Sequence, residues 1–332
     1  MAEWPIIGHE WAVRQLQIAV EHDEVPHALL ITGPESVGKM TLGRTLAAAL
    51  LCKGPEKERP CGTCIACRKL ASGNHPDLML VEPEEKGGSL KIEQIRVLER
   101  FLALTPNESA HKVALISSFE HATIGAANAL LKTLEEPPAF AYLILLAGDT
   151  DNLLPTIVSR SQQINLRPLS HKAVEGALIE RWRVLPDEAE HLARISGGRI
   201  GWAVQAATDA DYHQRMENAL VTLLSLMRQD LPSRFDTARE LARDPTRLAE
   251  VLEYWLAGWR DVLLMQTGNA GDIMYREHRE ALADIAQRVD LHATIGIIKA
   301  LEASQEALQR NANTLLLTEN LILDLPDLGR SG

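Results

Sequence analysis

A glycine-bounded segment near the N-terminus, GPESVGKMT at residues 33–41, has the composition of a phosphate-binding loop. Gly33 and Gly38 would let backbone N–H groups curl around phosphate oxygens at a helix N-terminus, and Lys39 would add a positive charge. A short apolar run precedes the segment and a helix-favouring run follows it, which is the context that this interpretation requires. An ordinary glycine-rich turn is the alternative interpretation.

The positions that would hold a metal ion beside this loop lack suitable oxygen atoms. Met40 stands where the motif has Ser or Thr, and a thioether is a poor ligand for Mg²⁺, which prefers oxygen. Thr41 comes one residue later, about 100° further round the helix. Ser117 and Ser118 follow a later apolar run, where an ATPase needs carboxylates to hold the metal and polarise water. We therefore expect no self-contained ATP hydrolysis, while binding of ATP or ADP to the loop, including Thr41, stays open.

All the cysteines of the chain fall within one short segment and comprise Cys52, Cys61, Cys64 and Cys67. The last three form overlapping CxxC pairs, a spacing that brings thiolates to one tetrahedral zinc ion. Reduced thiols or a redox pair are the alternatives, although disulfides are disfavoured in a cytoplasmic chain. Four thiolates fill a tetrahedral site and leave no position for water, so we predict a structural zinc ion with these four ligands.

Other acidic and histidine residues show no catalytic pattern. Glu120 lies past the end of the strand that precedes it. Glu135 and Glu136 are adjacent on a helix and do not face each other, which favours a solvated helix end stopped by Pro137. His75 precedes a proline and is expected to be a turn residue rather than a metal ligand.

The elements around these residues alternate between short apolar runs and helical patterns. The runs are typical of buried strands, and they cover residues 28–32, 78–81, 113–116 and 142–146. Apolar strands that alternate with helices predict βαβ units and an α/β fold, with helices on both faces of a parallel sheet.

Beyond Pro168 the pattern becomes helical. Residues 170–207 are predicted to form a small helical segment, and from Tyr212 onward the chain is expected to be all helical. Apolar residues there follow the spacing of a buried helix face, which places Trp255 and Trp259 in the core.

Composition and charge limit the class of protein. The 332 residues are 46% hydrophobic and 24% charged, which is typical of a globular protein of two or three domains. A formal net charge of −11 disfavours nonspecific binding to nucleic acid. The N-terminus lacks the pattern of a secretory signal, and no apolar run approaches the roughly 18 residues of a membrane span. We therefore predict a cytoplasmic protein that does not bind a membrane.

Three further motifs carry a resemblance to a known family. They are NHPD at residues 74–77, NALLKTLEEPP at residues 128–138 and SRS at residues 159–161. Together with the cysteine insert and the degenerate metal positions, they resemble the clamp-loader branch of the AAA+ ATPases, within the bacterial DNA polymerase III group. The resemblance extends from Ile7 to about Leu325 and is strongest before Pro168.

This resemblance implies a chain of three domains. An AAA+ nucleotide-binding-type core would cover residues 1–168 and contain the zinc insert at 52–67. A small helical lid would cover residues 169–209, and an all-helical collar that oligomerises would cover residues 210–332.

The resemblance also implies the function of a non-hydrolysing, stator-like subunit of the DNA polymerase III clamp loader. Its partners would be the ATPase subunits and the clamp-opening subunit, which together open a sliding clamp and load it onto primed DNA. The family's arginine finger, which reaches a neighbour's nucleotide site, falls on Arg160. Sequence chemistry alone would rank a surface salt bridge first for this residue. The family's sensor-two arginine falls on Gly201, with Arg199 two places away, which again argues against hydrolysis.

Two other functions remain as alternatives. A working AAA+ ATPase is opposed by Met40, Ser117 and Ser118. A zinc-dependent nucleic-acid-binding module is opposed by the negative net charge and by the lack of a basic stripe with interleaved aromatic residues.

Overall fold

The apolar runs of the first half form a parallel sheet with the strand order β2-β3-β4-β1-β5. The computed structural model describes residues 3–84, 88–209, 211–270, 273–309 and 312–329. The strands are β1 (Ala28–Thr32), β2 (Leu78–Val81), β3 (Lys112–Ile116), β4 (Ala141–Ala147) and β5 (Gln162–Asn165). Every residue of β1, β3 and β4 is buried, because these inner strands have neighbours on both sides and helices on both faces. The predicted α/β class is confirmed.

The helices of the first half pack on this sheet or follow it in the chain. They are α1 (Glu10–Glu21), α2 (Lys39–Leu51), α3 (Ile65–Ala71), α4 (Ile92–Ala103), α5 (Ile124–Glu135), α6 (Pro155–Val158), α7 (His171–Trp182), α8 (Pro186–Ile195) and α9 (Ile200–Thr208). Alternate residues of β1 face opposite layers, since side chains alternate along a strand. Leu29 and Ile31 pack in the cluster that includes α1 and α2, whereas Leu30 packs in the cluster that includes α4 and α5.

Side-chain caps and prolines set the ends of these helices. The hydroxyl of Thr123 accepts a hydrogen bond from Ala126 N at 3.2 Å and caps α5, as the sequence predicts. The helix ends at Glu135, just before Pro137.

The chain divides into two compact units: the first comprises residues 1–85 and 89–204, and the second comprises residues 205–332 with the short segment 86–88. The helices of the second unit are α10 (Tyr212–Leu226), α11 (Leu231–Leu241), α12 (Pro245–Gln266), α13 (Arg279–Arg288), α14 (Leu291–Gln309) and α15 (Thr314–Asp324). Trp255 and Trp259 are buried on α12, as predicted. Within the described ranges no helix is long and apolar enough to cross a membrane. The finer division at residues 168 and 209 stays a prediction.

Two buried charged side chains of the second unit bind backbone groups. Arg234 is 5% exposed and donates to Leu325 O at 3.2 Å and to Pro326 O at 3.1 Å. Asp261 is 3% exposed and accepts hydrogen bonds from Met274 N and Tyr275 N at 2.9 and 2.8 Å. Each group fixes an irregular segment to the helices, because a buried charge must be matched by hydrogen bonds.

Candidate functional site

The loop between β1 and α2 closes on Lys39. The ammonium donates to Gly33 O at 2.5 Å and to Pro34 O at 2.7 Å. Gly33 and Gly38 have φ values of 145° and 113°, which favour glycine. A Cβ atom at Gly33 would also lie 2.4 Å from Leu166 O. The structure therefore brings together the two glycines and the lysine that the sequence predicts for a phosphate-binding loop.

A carboxylate that the sequence analysis set aside lies close to this loop. Glu120 Oε1 accepts a hydrogen bond from Gly148 N at 3.0 Å, and Gly148 O accepts one from Gly33 N at 3.1 Å. Glu120 lies past the end of β3, as the sequence indicates, and these two hydrogen bonds connect it with the loop through Gly148. Glu120 reaches this position because residues 119–121 form a short 3-10 helix that begins after Ser118, whose φ is 50°.

Burial and nearby carboxylates have opposite effects on the pKa of Lys39. Burial lowers the pKa of Lys39, and the negative charges of Glu120 and Glu35 oppose that shift. The second oxygen of Glu120, Oε2, is buried and has no hydrogen-bond partner within the described residues. A carboxylate from outside the loop thus acts electrostatically on Lys39, whose ammonium is bonded to the carbonyl oxygens of Gly33 and Pro34.

The degenerate metal positions are occupied by other contacts. Met40 packs against the hydrophobic core. Thr41 is exposed at the start of α2. Ser117 is buried, and its hydroxyl donates to Glu82 Oε1 at 3.3 Å. Met40 supplies no oxygen and the Ser117 hydroxyl is engaged by Glu82, so neither of these two positions offers the oxygen ligand that Mg²⁺ prefers.

The segment aligned with the sensor-two arginine touches the loop through its backbone. Gly201 N donates to Ser36 O at 2.8 Å. A Cβ atom at Gly201 would lie only 3.0 Å from the same oxygen, so a larger side chain would crowd the loop. Arg199 donates from Nε to Ser196 O at 3.0 Å, and its guanidinium lies 5.7 Å from the ring centroid of Trp202. These contacts hold Arg199 on its own segment.

Arg160 lies in the turn that follows the short helix α6, and its side chain is partly exposed. Its Nη2 lies 2.9 Å from Glu135 Oε1, the last residue of α5, and its Nη1 donates to Thr156 O at 3.1 Å. The side chain of Arg160 is 38% exposed and that of Glu135 is 52% exposed. The sequence predicted Glu135 as a solvated helix end, which is confirmed, but it did not identify the pairing with Arg160.

The four cysteines form one cluster. Their Sγ atoms all lie within 4.8 Å of one another. The distance between the Sγ atoms of Cys52 and Cys64 is 3.9 Å, and that between Cys61 and Cys67 is 4.0 Å. A Zn–S bond of about 2.3 Å sets an S–S separation of about 3.8 Å in a tetrahedral site. The cluster therefore fits one zinc ion bound by Cys52, Cys61, Cys64 and Cys67.

Backbone N–H groups surround the sulfur atoms and favour the thiolate form. Cys52 Sγ accepts from Gly54 N at 3.3 Å, and Cys61 Sγ accepts from Cys64 N at 3.4 Å. The bond from Cys64 N, with the hydroxyl of Thr63, lowers the pKa of Cys61 to about 6. Burial acts in the opposite direction on Cys52 and Cys67 and raises the pKa of both thiols, so the support for the predicted site comes from the spacing of the sulfur atoms and from the hydrogen bonds to Cys61.

The histidine beside the insert belongs to a separate network. His75 Nδ1 accepts a hydrogen bond from Asp77 N at 3.1 Å, and His75 Nε2 lies 3.3 Å from Ser109 Oγ. The buried carboxylate of Asp77 accepts three backbone N–H bonds, from Asn107, Glu108 and Ser109 at 2.6–2.9 Å. The NHPD motif thus orders the 107–109 loop, and His75 is not part of the cysteine cluster.

Comparisons with known proteins identify relatives of the whole chain. The family model described as DNA polymerase III, delta subunit, matches residues 8–170. The DNA polymerase III subunit delta-prime of Bacillus subtilis is 32% identical over 323 residues, which cover 95% of this chain and 95% of that protein. The delta-prime subunit of Pseudomonas aeruginosa is 41% identical over 176 residues, which cover 52% of this chain and 53% of that protein.

One solved structure with a related name also matches. It is a DNA polymerase III gamma-subunit-related protein of Thermotoga maritima, with 19% sequence identity and a TM-score of 0.47. The match covers 93% of this chain and 97% of that one.

Proposed function

This chain belongs to the delta-prime family of DNA polymerase III subunits, and from that premise we propose that it is a clamp-loader subunit without ATPase activity of its own. In this proposal it acts as a rigid partner of the ATPase subunits and supplies Arg160 to a neighbour's nucleotide site. The observation that carries the proposal is the position of Arg160, whose guanidinium is partly exposed in the turn that follows α6. A planar, always-charged donor fork suits the stabilisation of phosphoryl charge in the transition state.

The lack of hydrolysis in this proposal is supported by three contacts. Met40 is partly buried against the core, Ser117 is bonded to Glu82, and Gly201 leaves little room for a side chain beside Ser36. Without oxygen ligands for Mg²⁺ at the loop, the charge on a transferred phosphoryl group would lack its main counterion.

The alternative of a working ATPase has one supporting observation. Glu120 places a carboxylate near Lys39, where a metal ion or an attacking water would need one. Its Oε1 is already bonded to Gly148 N. We favour the non-hydrolysing function for this reason and because the neighbouring metal positions are occupied.

We also propose zinc as the metal of the cysteine cluster, since four thiolates with tetrahedral spacing match its preferred ligands. When bound, the ion would join the C-cap of α2 and the segment before α3 to the first turn of α3. Its four protein ligands would leave no open position for catalysis.

The proposed partners are the clamp-loader ATPase subunits and the clamp-opening subunit. The sliding clamp and primed DNA would be reached through the assembled complex, in the cytoplasm. The net charge of −11 supports contact with DNA through the assembly rather than by this chain alone.

Two assays test the proposal. In the first, the isolated chain is expected to release phosphate from ATP no faster than its Lys39→Ala variant, with or without primed DNA. In the second, the complex reconstituted with Arg160→Ala is expected to assemble normally but to hydrolyse ATP and load clamps more slowly than the wild type. Lys39-dependent turnover in the isolated chain would support the ATPase alternative instead. Wild-type rates from the assembled Arg160→Ala complex would rule out the role in trans.

A further inference from the structure

We propose that Glu135 is a positioning residue for Arg160: it holds the guanidinium in the direction from which it reaches a neighbouring nucleotide site. This inference rests on the proposed function of Arg160. It assigns a role to an acidic residue that the sequence pattern identifies only as a helix end.

The contacts around Arg160 fix one side of its guanidinium. Nη2 pairs with Glu135 Oε1 at 2.9 Å, and Nη1 donates to Thr156 O at 3.1 Å. The backbone is fixed as well, since Arg160 N donates to Ile157 O at 3.1 Å. A guanidinium carries five N–H donors, and within the described residues Nε has no acceptor. Donors therefore remain for an acceptor from another chain.

The position of Glu135 is unusual for a carboxylate. It is the last residue of α5, where the backbone dipole presents its negative end. A cation is favoured there and an anion is not, unless a positive group compensates. Arg160 supplies that positive group. Its guanidinium is attracted both by the Glu135 carboxylate and by the negative end of the α5 dipole.

Stability does not explain this pair. Both side chains are partly exposed, and ion pairs between exposed groups contribute little to folding. An arginine side chain, however, has many rotamers, and fixing them before binding reduces the entropy that is lost when the donors engage a phosphate. The expected benefit of Glu135 therefore lies in the rate of the assembled complex rather than in the folding of the chain.

The neighbouring residue Glu136 provides a matched control. It follows Glu135 directly, is also exposed, and has no ion pair within the described residues. Glu135→Gln removes the charge of the pair at nearly constant volume, and Glu136→Gln makes the same chemical change one residue away. Glu135→Asp keeps the charge but shortens the side chain by one methylene.

The experiment measures DNA-stimulated ATP hydrolysis by the reconstituted complex. Rates are compared for the wild type, Glu135→Gln, Glu135→Asp, Glu136→Gln, Arg160→Ala and the double variant Glu135→Gln/Arg160→Ala. The Arg160-dependent part of kcat is the difference between the wild type and Arg160→Ala. Glu135→Gln is expected to reduce this part about two- to fivefold, the range that corresponds to the coupling of exposed ion pairs.

Other readouts distinguish positioning from a general structural role. The KM for ATP, the assembly of the complex and the melting temperature should stay at their wild-type values in Glu135→Gln. Glu135→Asp should restore part of the rate, and Glu136→Gln should match the wild type. In the Arg160→Ala background, Glu135→Gln should have no further effect, because the residue acts through Arg160.

The experiment separates the role of Arg160 in trans from the positioning role of Glu135. Wild-type turnover from the assembled Arg160→Ala complex overturns the proposed function and, with it, this inference. A slow Arg160→Ala complex combined with unchanged or faster turnover in Glu135→Gln overturns only the positioning role. Faster turnover would mean that Glu135 restrains Arg160 instead of directing it.

Discussion

The backbone N–H of Gly201 donates a hydrogen bond to the carbonyl oxygen of Ser36 at 2.8 Å, so a helix that follows the sheet touches the glycine-bounded loop directly. Both residues belong to the first compact unit. The contact uses the position where relatives with ATPase activity are expected to carry an arginine. A Cβ atom at residue 201 would lie 3.0 Å from the same oxygen, so a side chain at this position would crowd the loop.

We expect Gly201→Ala to lower the stability of the chain relative to Gly176→Ala. The new Cβ at residue 201 would lie 3.0 Å from Ser36 O, whereas a Cβ at Gly176, in α7, meets nothing within 4 Å. Alanine at a helix position with open space is expected to stabilise by about 0.5–1 kcal/mol. Thermal unfolding of the two variants measures the difference, and equal melting temperatures would show that the loop yields to the methyl group without cost.

Removal of the metal is expected to unfold the segment around α3. Structural zinc contributes roughly 10 kcal/mol or more in model peptides, so its loss should be felt locally even in a larger chain. Metal analysis of protein purified without chelator is expected to find one zinc per chain, and Cys64→Ser should reduce this content strongly. Freely titratable thiols together with less than about half an equivalent of zinc would contradict a four-ligand site.

Glu120→Gln is expected to increase the affinity of the loop for ADP. The substitution removes a negative charge near Lys39, and at short range in a partly buried site one charge can alter binding about tenfold. Titration with a fluorescent nucleotide measures the change. The control is Lys39→Ala, which removes the cation. In that background, Glu120→Gln should no longer increase the affinity for ADP. An affinity of Glu120→Gln equal to or weaker than that of the wild type would mean that the carboxylate does not compete with phosphate.

The stability of the second unit should depend on pH through Asp261. Burial raises the pKa of this carboxyl group to about 6, and the hydrogen bonds from Tyr275 N and Met274 N oppose the shift only in part. Because the folded pKa lies above the unfolded one, the favourable contribution is present below about pH 4 and is lost as the pH rises towards 6. We expect a loss of about 2–3 kcal/mol over this window.

Denaturant unfolding at several pH values, followed by the fluorescence of the buried tryptophans, measures this dependence. Asp261→Asn provides the comparison, because it removes the titration while keeping one acceptor for the two N–H groups. Its stability should vary less between pH 4 and 6 than that of the wild type. The same slope in both proteins would assign the pH dependence to other groups.

The strands and the metal cluster were predictable because each follows from local spacing. Continuous apolar runs became the buried strands β1, β3 and β4, and overlapping CxxC pairs placed three sulfur atoms near one point. Lys39 was predictable for the same reason, since the loop forms from consecutive residues.

The partners of the charged side chains were not predictable from such spacing. Glu135 is the last residue of α5 and Arg160 lies in the turn after α6, and the packing of α5 against α6 brings them together. Glu120 reaches the loop because Ser118 adopts a left-handed backbone conformation, which no pattern of apolar residues reveals. A sequence motif that expects the metal-binding carboxylate directly after β3 does not identify Glu120, because Glu120 comes later in the chain and is brought near the loop by the turn at Ser118.

The buried guanidinium of Arg234 has a consequence for the order in which the protein folds during synthesis. Its acceptors include the carbonyl oxygens of Leu325 and Pro326, which a ribosome makes about ninety residues after the arginine itself. If the guanidinium were buried before those residues left the exit tunnel, it would lose its bound water without gaining these two acceptors, which is costly in an apolar interior. The helices from α11 onward therefore reach their final packing only once Leu325 and Pro326 have emerged, whereas the sheet of the first unit can form well before.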